Sequence, residues 1–243
     1  MSSPESPVGP TGSREPLSRA RIVAAAVVVL DADGLAGLTM RRVARELGTG
    51  AMSLYRHVAS REDLLDLVLD ELVAAVPVSR LTGEWRVDVA ALARDVRAAL
   101  LRRRDLTLLL TARLGQGAGG LAALDRALGI FLRAGFSPRD AVRSNHALGA
   151  YVSGSCTWEA VGLGGEVDPA ERANRAAAAT ARLADVPAEA HPYVEAAASE
   201  LFAGTAEDRF EFGLARLLEG FAVELASTTA RPARLDPSSA REA

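Results

Sequence analysis

The chain has 243 residues, of which 49% are hydrophobic and 24% charged, a composition typical of a soluble globular protein that builds its own core. A formal net charge of -3 gives no reason, taken over the whole chain, to expect a nucleic-acid partner. The single cysteine, Cys156, excludes an internal disulfide framework and a multi-cysteine zinc site. The longest strongly apolar run, residues 22–30, is too short to cross a membrane. With no recognisable signal peptide, these features predict a cytoplasmic protein without membrane contact.

Composition marks both ends of the chain as tails. Residues 1–16 contain four prolines among serines and glycines, and residues 228–243 again combine prolines with serines. Both segments are therefore predicted to be disordered. Between them proline is sparse, and long stretches rich in Ala, Leu, Arg and Glu favour helix.

Capping residues indicate where several helices begin. Ser18 precedes the first apolar segment, and Ser60 is followed by two acidic residues and a run with leucines on one face. Ser137 and Asp168 are each followed by a proline, which suits a first helical turn. Thr205 opens a sequence that resembles a capping box with aspartate in place of glutamate. Without an alternating strand pattern between hairpin turns, we predict an all-α fold with helices over residues 18–32, 39–46, 50–57, 60–76, 84–103, 105–113, 119–134, 137–160, 169–184, 191–202 and 205–226.

The most informative segment contains two short predicted helices joined at Gly48. Val43, Leu47 and Leu54 can meet in a small core, and a side chain larger than Ala44 would push the crossing helices apart. Gly48 can adopt the left-handed conformation of a tight turn. This pattern indicates a helix-turn-helix whose second helix, residues 50–57, enters the major groove of DNA.

Positive charge is concentrated on the same segment. Between Thr39 and Arg61 there are five arginines and a single acidic residue, Glu46, whereas residues 77–243 balance 20 arginines against 21 acidic residues. The chain contains no lysine, so every basic side chain is an arginine. Because phosphate contact requires local positive charge, this segment predicts binding to double-stranded DNA despite the net charge of the chain.

Three motifs have both the residues and the spacing of a known family. They are VARELG at 43–48, LYRHV at 54–58 and SREDLL at 60–65. Over residues 17–76 the chain resembles the tetracycline-repressor family of one-component regulators. The resemblance implies a three-helix, helix-turn-helix DNA-binding domain over that range.

A weaker resemblance to the same family covers residues 84–160 and includes Trp85 and the turn before Pro138. It implies a larger helical domain over residues 84–227 that binds a small molecule and forms the dimer. The segment between Pro77 and Gly83 is the predicted joint between the two domains.

The motifs also assign roles to individual side chains at the DNA interface. Arg41 is placed to reach a guanine edge, and Ala51 and Met52 to pack on thymine methyl groups. Tyr55 and Arg61 resemble clamps on the phosphate backbone, although Tyr55 alternatively closes the small core. The complete predicted set is Thr39, Met40, Arg41, Thr49, Gly50, Ala51, Met52, Ser53, Tyr55, Arg56, His57 and Arg61.

Two further sets of residues belong to the larger predicted domain. Asn145 is polar in the middle of a weakly charged helix, so it is a candidate hydrogen-bonding group in an apolar pocket, or else a satisfied core residue. The predicted effector pocket consists of Asn145, Leu148, Val152, Phe131 and Leu109. The resemblance further implies a four-helix dimer interface from helices 137–160 and 205–226; its predicted residues, which would otherwise be ordinary core, are Trp158, Phe210, Gly213, Leu214, Leu217 and Phe221.

One feature points to a different class of function. The glycines between Gly115 and Gly120 match the dinucleotide-binding pattern G-x-G-x-x-G, but such a site needs parallel strands that the sequence does not predict. A nucleotide-dependent enzyme and a helical interaction protein without DNA binding are therefore the alternatives. The prediction is a homodimeric repressor that leaves a palindromic operator when an unknown small molecule binds, with no catalytic residue, metal site or cofactor.

Overall fold

The structure is a computed structural model that describes residues 16–77, 81–103, 117–159, 190–201 and 203–229, together with residues 106, 109, 174, 177, 178, 181 and 182. The described residues form helices and turns and contain no β-strand, which confirms the predicted all-α fold. The helices are α1 (Arg19–Gly37), α2 (Met40–Glu46), α3 (Ala51–Leu54), α4 (Arg61–Ala74), α5 (Trp85–Arg102), α6 (Gly117–Arg133), α7 (Pro138–Trp158), α8 (Pro192–Ala196) and α9 (Ala206–Thr229).

The chain divides into two compact units, residues up to Glu71 and residues from Leu72 onwards. The division falls inside α4, and the joint predicted between Pro77 and Gly83 stays a prediction.

In the smaller unit, α1 begins where the sequence predicts. The hydroxyl of Ser18 accepts a hydrogen bond from the backbone N–H of Arg21 at 3.3 Å, which caps the first turn. Regular helical geometry is interrupted at Gly34, where φ is 67° and ψ is -175°. The predicted end of the helix at this glycine is therefore a change of direction inside α1. Ile22 and Val29 of α1 are fully buried.

The core of the larger unit lies between α5, α6, α7 and α9. Its centre is an aromatic cluster in which rings meet edge to face. Phe131 lies 5.3 Å from Phe136 and 5.8 Å from Phe221, and Phe136 also lies 5.4 Å from Trp85, all between ring centres. These contacts connect the beginning of α5 and the end of α6 to the middle of α9.

Two of the predicted caps in this unit are confirmed, and the one at Asp168 lies outside the described residues. The hydroxyl of Ser137 accepts from the backbone N–H of Asp140 at 3.2 Å, with Pro138 in the first turn of α7. At α9 the hydroxyl of Thr205 accepts from the N–H of Asp208 at 3.0 Å, and the Asp208 carboxylate accepts in return from the N–H of Thr205 at 2.7 Å. This reciprocal pair is the capping box that the sequence suggested.

Several predicted features fall partly or wholly outside the described residues. These are the two tails, most of the helices at 105–113 and 169–184, and the first part of the Gly115–Gly120 pattern. The described part of that pattern, from Gly117, forms the first turn of α6 rather than a turn after a strand. None of the described helices is both long and apolar enough to span a membrane.

A buried carboxylate fixes the beginning of α5. Asp88 is 6% exposed and accepts hydrogen bonds from the backbone N–H of Thr82 at 2.7 Å, the Thr82 hydroxyl at 2.8 Å and the backbone N–H of Gly83 at 3.1 Å. Burial alone would raise the pKa of Asp88, but these bonds, with the nearby charge of Arg133, hold it below its ordinary value.

We therefore expect Asp88→Asn to destabilise the protein by about 1 kcal/mol at neutral pH and by progressively less in acid. Because the pKa of Asp88 is lower in the folded state, its contribution is complete above the unfolded-state value of about 4 and is lost as the pH falls through the folded value. Urea unfolding at a series of pH values measures the difference between the two proteins. A difference that grows as the pH falls would contradict the prediction.

Candidate nucleic-acid interface

The turn between α2 and α3 has the geometry that the sequence predicts. Gly48 adopts a φ of 63°, in the left-handed region. The N–H of Thr49 donates to the carbonyl of Ala44 at 2.9 Å, and the N–H of Gly48 donates to that of Arg45 at 3.1 Å. These two bonds form a Schellman motif, which closes the carboxyl end of α2 and sends the chain into α3.

Two of the three residues predicted for the small core of the helix-turn-helix are confirmed as buried, whereas Leu47 is half-buried. Val43 and Leu54 are fully buried, and Ala44 is 3% exposed. The helices α2 and α3 are in direct contact. Their packing leaves room for no larger side chain at Ala44 without displacing one helix.

The recognition helix is shorter than predicted. Regular α-helix covers only Ala51–Leu54, and residues 55–57 form turns. The Leu54 carbonyl accepts both from the N–H of His57 at 2.8 Å and from the N–H of Val58 at 3.0 Å, so the chain tightens and leaves the helix there. Gly50 precedes α3 and provides no side-chain cap.

Several predicted contact residues lie on the surface of this unit. Met52 is 79% exposed and Tyr55 is 46% exposed. Because about half of the Tyr55 side chain is accessible, the phosphate contact and the half-buried position at the edge of the small core both stay predictions. Arg56 is exposed too, and residues three and four apart on a helix share a face. Of the other predicted residues, Thr39, Arg41 and Gly50 are exposed, whereas Thr49, Ala51, Ser53 and His57 are half-buried.

The structure contradicts the predicted role of Met40. Its side chain is 5% exposed and belongs to the core of the smaller unit, so it is not available to DNA. The preceding residue, Thr39, is the N-cap of α2, where its hydroxyl accepts from the N–H of Arg42 at 3.2 Å. Because α2 has only seven residues, its sequence pattern is too short to predict which side chain of the first turn faces the core.

Three of the five arginines in the basic segment are bonded within the protein; of these, exposed Arg56 makes only a 3.5 Å bond to the Ser53 hydroxyl. The guanidinium of Arg42 donates to Asp33 at 2.6 Å and to Glu46 at 2.7 Å. The bond to Glu46 makes the largest contribution to raising the pKa of Arg42, and the bond to Asp33 makes the next largest. Arg61, predicted to clamp a phosphate, donates to the carbonyls of Leu38 at 2.7 Å and Leu35 at 3.0 Å. The exposed cations of the segment are Arg41, Arg45 and Arg56.

The predicted effector-pocket residues lie in the larger unit. Phe131 is fully buried, and Leu148 and Val152 are 4% and 2% exposed. Asn145 and Leu109 are half-buried. That they surround one effector stays a prediction. A different cavity, of about 430 Å³, opens between α7 and α9 and is lined by Ala150, Tyr151, Gly154, Ser155, Trp158, Glu159, Ala206 and Arg209.

Three of the predicted dimer residues are core residues. Phe210, Leu214 and Phe221 are at most 8% exposed within the single chain, so their side chains are not free to meet a partner. Gly213 lies against the ring of Tyr151, whose hydroxyl donates to the Phe210 carbonyl at 2.7 Å.

Other side chains of α7 and α9 are exposed instead. Trp158, a predicted interface residue, is 67% exposed, and Leu217 is half-buried. Phe212 and Val223, which the predicted interface set does not include, are 69% and 68% exposed. They are eleven residues apart, a spacing that returns to nearly the same helical face and could have identified them.

Two family models match the chain. The model for bacterial regulatory proteins of the tetR family matches residues 22–68, and the model for the tetracyclin repressor-like C-terminal domain matches residues 77–225. The second match alone covers more than half of the chain. Together they cover both compact units.

Individual relatives agree with these matches. The chain is 34% identical over 223 residues to the HTH-type transcriptional repressor DrrR1 of Streptomyces coeruleorubidus, covering 88% of this chain and 81% of that protein. It is 29% identical over 204 residues to the class A tetracycline repressor protein of Escherichia coli, covering 83% and 88%. The solved structure of ActR from Streptomyces coelicolor in complex with actinorhodin superposes with a TM-score of 0.73 at 31% identity, covering 86% and 96%. The chain therefore belongs to the tetR family of bacterial regulatory proteins and is a DNA-binding transcriptional regulator with a ligand-binding C-terminal domain.

Proposed function

We propose that this regulator is a repressor that binds a palindromic operator as a homodimer and leaves it when a small molecule binds the larger unit. The observation that carries the proposal is the exposed surface of α3 and of the turn that follows it, where Met52, Tyr55 and Arg56 are accessible. In a dimer, two such helices read half-sites about one turn of DNA apart. The proposal includes no catalytic step or cofactor, and a regulator of this kind acts in the cytoplasm.

Operator binding can be tested without knowing the operator, by selecting the duplexes that the protein binds from a library of random sequences. Full-length protein is expected to enrich an inverted repeat whose half-site centres lie about 10 base pairs, or a multiple of that, apart. Fluorescence anisotropy then measures the affinity for the enriched duplex. Failure to enrich any sequence would refute the proposal and favour a helical interaction protein without DNA binding.

The exposed arginines predict which positions contact phosphates, and for Arg41 we propose this role in place of the guanine contact expected from the sequence. We expect Arg41→Gln and Arg56→Gln each to reduce the slope of log affinity against log salt by about 0.9, because each loss removes one neutralised phosphate. The matched control is Arg42→Gln, which should change the slope little because Asp33 and Glu46 already neutralise that cation. If Arg42→Gln lowered the slope as much as Arg41→Gln, this division of the arginines would be wrong.

The exposed apolar side chains of α7 and α9 support a second copy of the chain as partner. Trp158, Phe212 and Val223 are each more than 60% exposed, which is unusual for side chains of this size unless a partner covers them.

We expect Phe212→Arg to raise the dimer dissociation constant at least about 30-fold, because it places a charge in a desolvated contact. Sedimentation velocity over a range of concentrations measures the change. Val87→Arg is the control, since Val87 is 53% exposed on α5. Equal dimer stability in the two variants would contradict an interface through this face of α9.

Effector binding is supported by the relative that was solved with actinorhodin. We infer that a small molecule binds among the inward-facing side chains near Phe131, Leu148 and Val152, with Asn145 as a hydrogen-bonding group. Actinorhodin is the first probe: binding to the folded protein alone raises its melting temperature. Release additionally requires weaker binding to the DNA-bound conformation. A probe that raises the melting temperature but leaves operator affinity unchanged would contradict the release mechanism.

A further inference from the structure

The guanidinium of Arg61 is bonded to the backbone of the DNA-binding unit itself. Arg61 is the first residue of α4, and its guanidinium spans two backbone carbonyls of another segment. Its Nε donates to Leu38 at 2.7 Å and its Nη2 donates to Leu35 at 3.0 Å, across 23 and 26 positions in the chain. Both bonds are partly buried, so they are shielded from competition with water.

The backbone of Arg61 is itself held in place. The hydroxyl of Ser60 accepts from the N–H of Asp63 at 3.0 Å, and the carbonyl of Ser60 accepts from the N–H of Leu64 at 3.1 Å. Leu64 is fully buried. The first turn of α4 is therefore capped and anchored in the core. The backbone from which the Arg61 side chain extends is held in place as a result.

The carbonyls that Arg61 binds belong to the connection that sets the beginning of α2. The chain changes direction at Gly34, and the N–H of Leu38 donates to the Leu35 carbonyl at 3.3 Å. Thr39, the N-cap of α2, follows directly, and exposed Arg41 lies in the first turn. A shift of this connection would move the first turn of α2.

A guanidinium has five N–H donors in a rigid fork, and a fork that bridges two carbonyls of one connection fixes their separation. A phosphate clamp would instead direct these donors to solvent. Arg41, Arg45 and Arg56 have that exposure. Arg61 also lies close to the end of α1. A positive charge there is stabilised by the last carbonyl groups of the helix, which have no partner within the helix.

We propose that Arg61 is a positioning residue that holds the α1–α2 connection so that the first turn of α2 meets DNA in one orientation. Arg61 contributes to specific binding through Thr39 and Arg41 rather than by neutralising a phosphate. The proposal rests on the DNA binding proposed above and assigns Arg61 a role different from the phosphate clamp predicted from sequence.

The test compares Arg61→Lys and Arg61→Gln with the wild-type chain on a duplex enriched by the wild-type protein. We expect both variants to bind this duplex about tenfold more weakly, because neither side chain presents two donor nitrogens in a rigid fork as Nε and Nη2 of Arg61 do. The slope of log affinity against log salt should equal the wild-type slope in both, because no phosphate contact is lost. Affinity for a scrambled duplex should be unchanged. Arg41→Gln, with its reduced slope, is the reference for a phosphate contact.

Each outcome decides the proposal. A phosphate clamp would give wild-type affinity in Arg61→Lys and a slope reduced by about 0.9 in Arg61→Gln, and that result overturns it. Circular dichroism establishes whether the variants are folded; if Arg61→Gln unfolds, Arg61→Lys carries the comparison. Loss of folding in both would make Arg61 a stability residue and also overturn the proposal. If the wild-type chain enriches no duplex, the proposed function fails before Arg61 is tested.

Discussion

Replacing Arg97 by methionine is expected to lower the free energy of unfolding by about 3 kcal/mol, because a buried carboxylate then loses its counter-charge. The Arg97 side chain, on α5, is 13% exposed and binds Glu159, which is 7% exposed, at 2.9 Å. It also binds Glu207 in the first turn of α9 at 2.6 Å. The guanidinium carbon lies 4.8 Å from the ring centre of Phe210. One side chain thus connects three of the four helices that form the core of the larger unit.

A matched control lies one turn earlier on the same helix. Arg94 binds both carboxylate oxygens of Glu211, at 2.7 and 2.6 Å, but its side chain is 52% exposed. Arg94→Met should therefore cost less than about 1 kcal/mol, since solvent screens that pair. Urea unfolding at one fixed protein concentration measures both variants, because dimerisation makes stability depend on concentration.

A second replacement separates the loss of the ion pair from the loss of packing. Arg97→Met combined with Glu159→Gln should recover part of the lost stability, because the buried carboxylate charge is removed together with the guanidinium that paired with it. Equal costs for Arg97→Met and Arg94→Met, or no recovery in the double variant, would contradict the argument that burial makes the Arg97 pair important.

The features that the sequence predicted correctly depend on residues close together in the chain. The cap at Ser137, the capping box at Thr205 and the left-handed turn at Gly48 each need only four to six neighbouring residues. Local backbone hydrogen bonds decide such features, so the sequence contains the information directly.

The features that it missed depend on distant partners. Nothing near Arg61 in the sequence indicates that carbonyls 23 and 26 positions away will bind it. Arg42 illustrates the same difficulty, because Asp33 neutralises it from the preceding helix. Counting arginines identified the basic segment, but it could not separate those that face solvent from those that stabilise the fold.

The predicted dimer interface on α9 shows a different limit of prediction from sequence. Apolar side chains of α9 occupy more than one face, so composition alone does not say which face enters the core. Packing against Tyr151 buries Phe210 and places Gly213 inwards, and these contacts leave Phe212 outside. The dimer interface that the family resemblance implied on α7 and α9 stays a prediction, but Phe210, Leu214 and Phe221 of the predicted set are already buried within the single chain.

Replacing Gly48 by valine is expected to destabilise the protein by at least about 2 kcal/mol and to weaken operator binding more strongly than any single loss of a phosphate contact. At a φ of 63° a β-branched side chain clashes with its own backbone. Relief of that strain would rotate the chain out of the left-handed region and break the hydrogen bond from Thr49 to Ala44. The angle between α2 and α3 would then change, and with it the orientation of Met52 and Arg56 towards DNA.

The same substitution two residues later provides the control. Gly50 has a φ of -82° and a ψ of 146°, which valine adopts readily, and an added Cβ meets no atom within 4 Å. Gly50→Val loses a favourable N-cap but also restricts the unfolded chain, so its net effect on stability should be below about 1 kcal/mol. Thermal unfolding followed by circular dichroism compares the two variants. If both cost the same, the strain of the left-handed turn is not what requires glycine at position 48, and the helix-turn-helix geometry would have to depend on the packing of Ala44 and Leu54 alone.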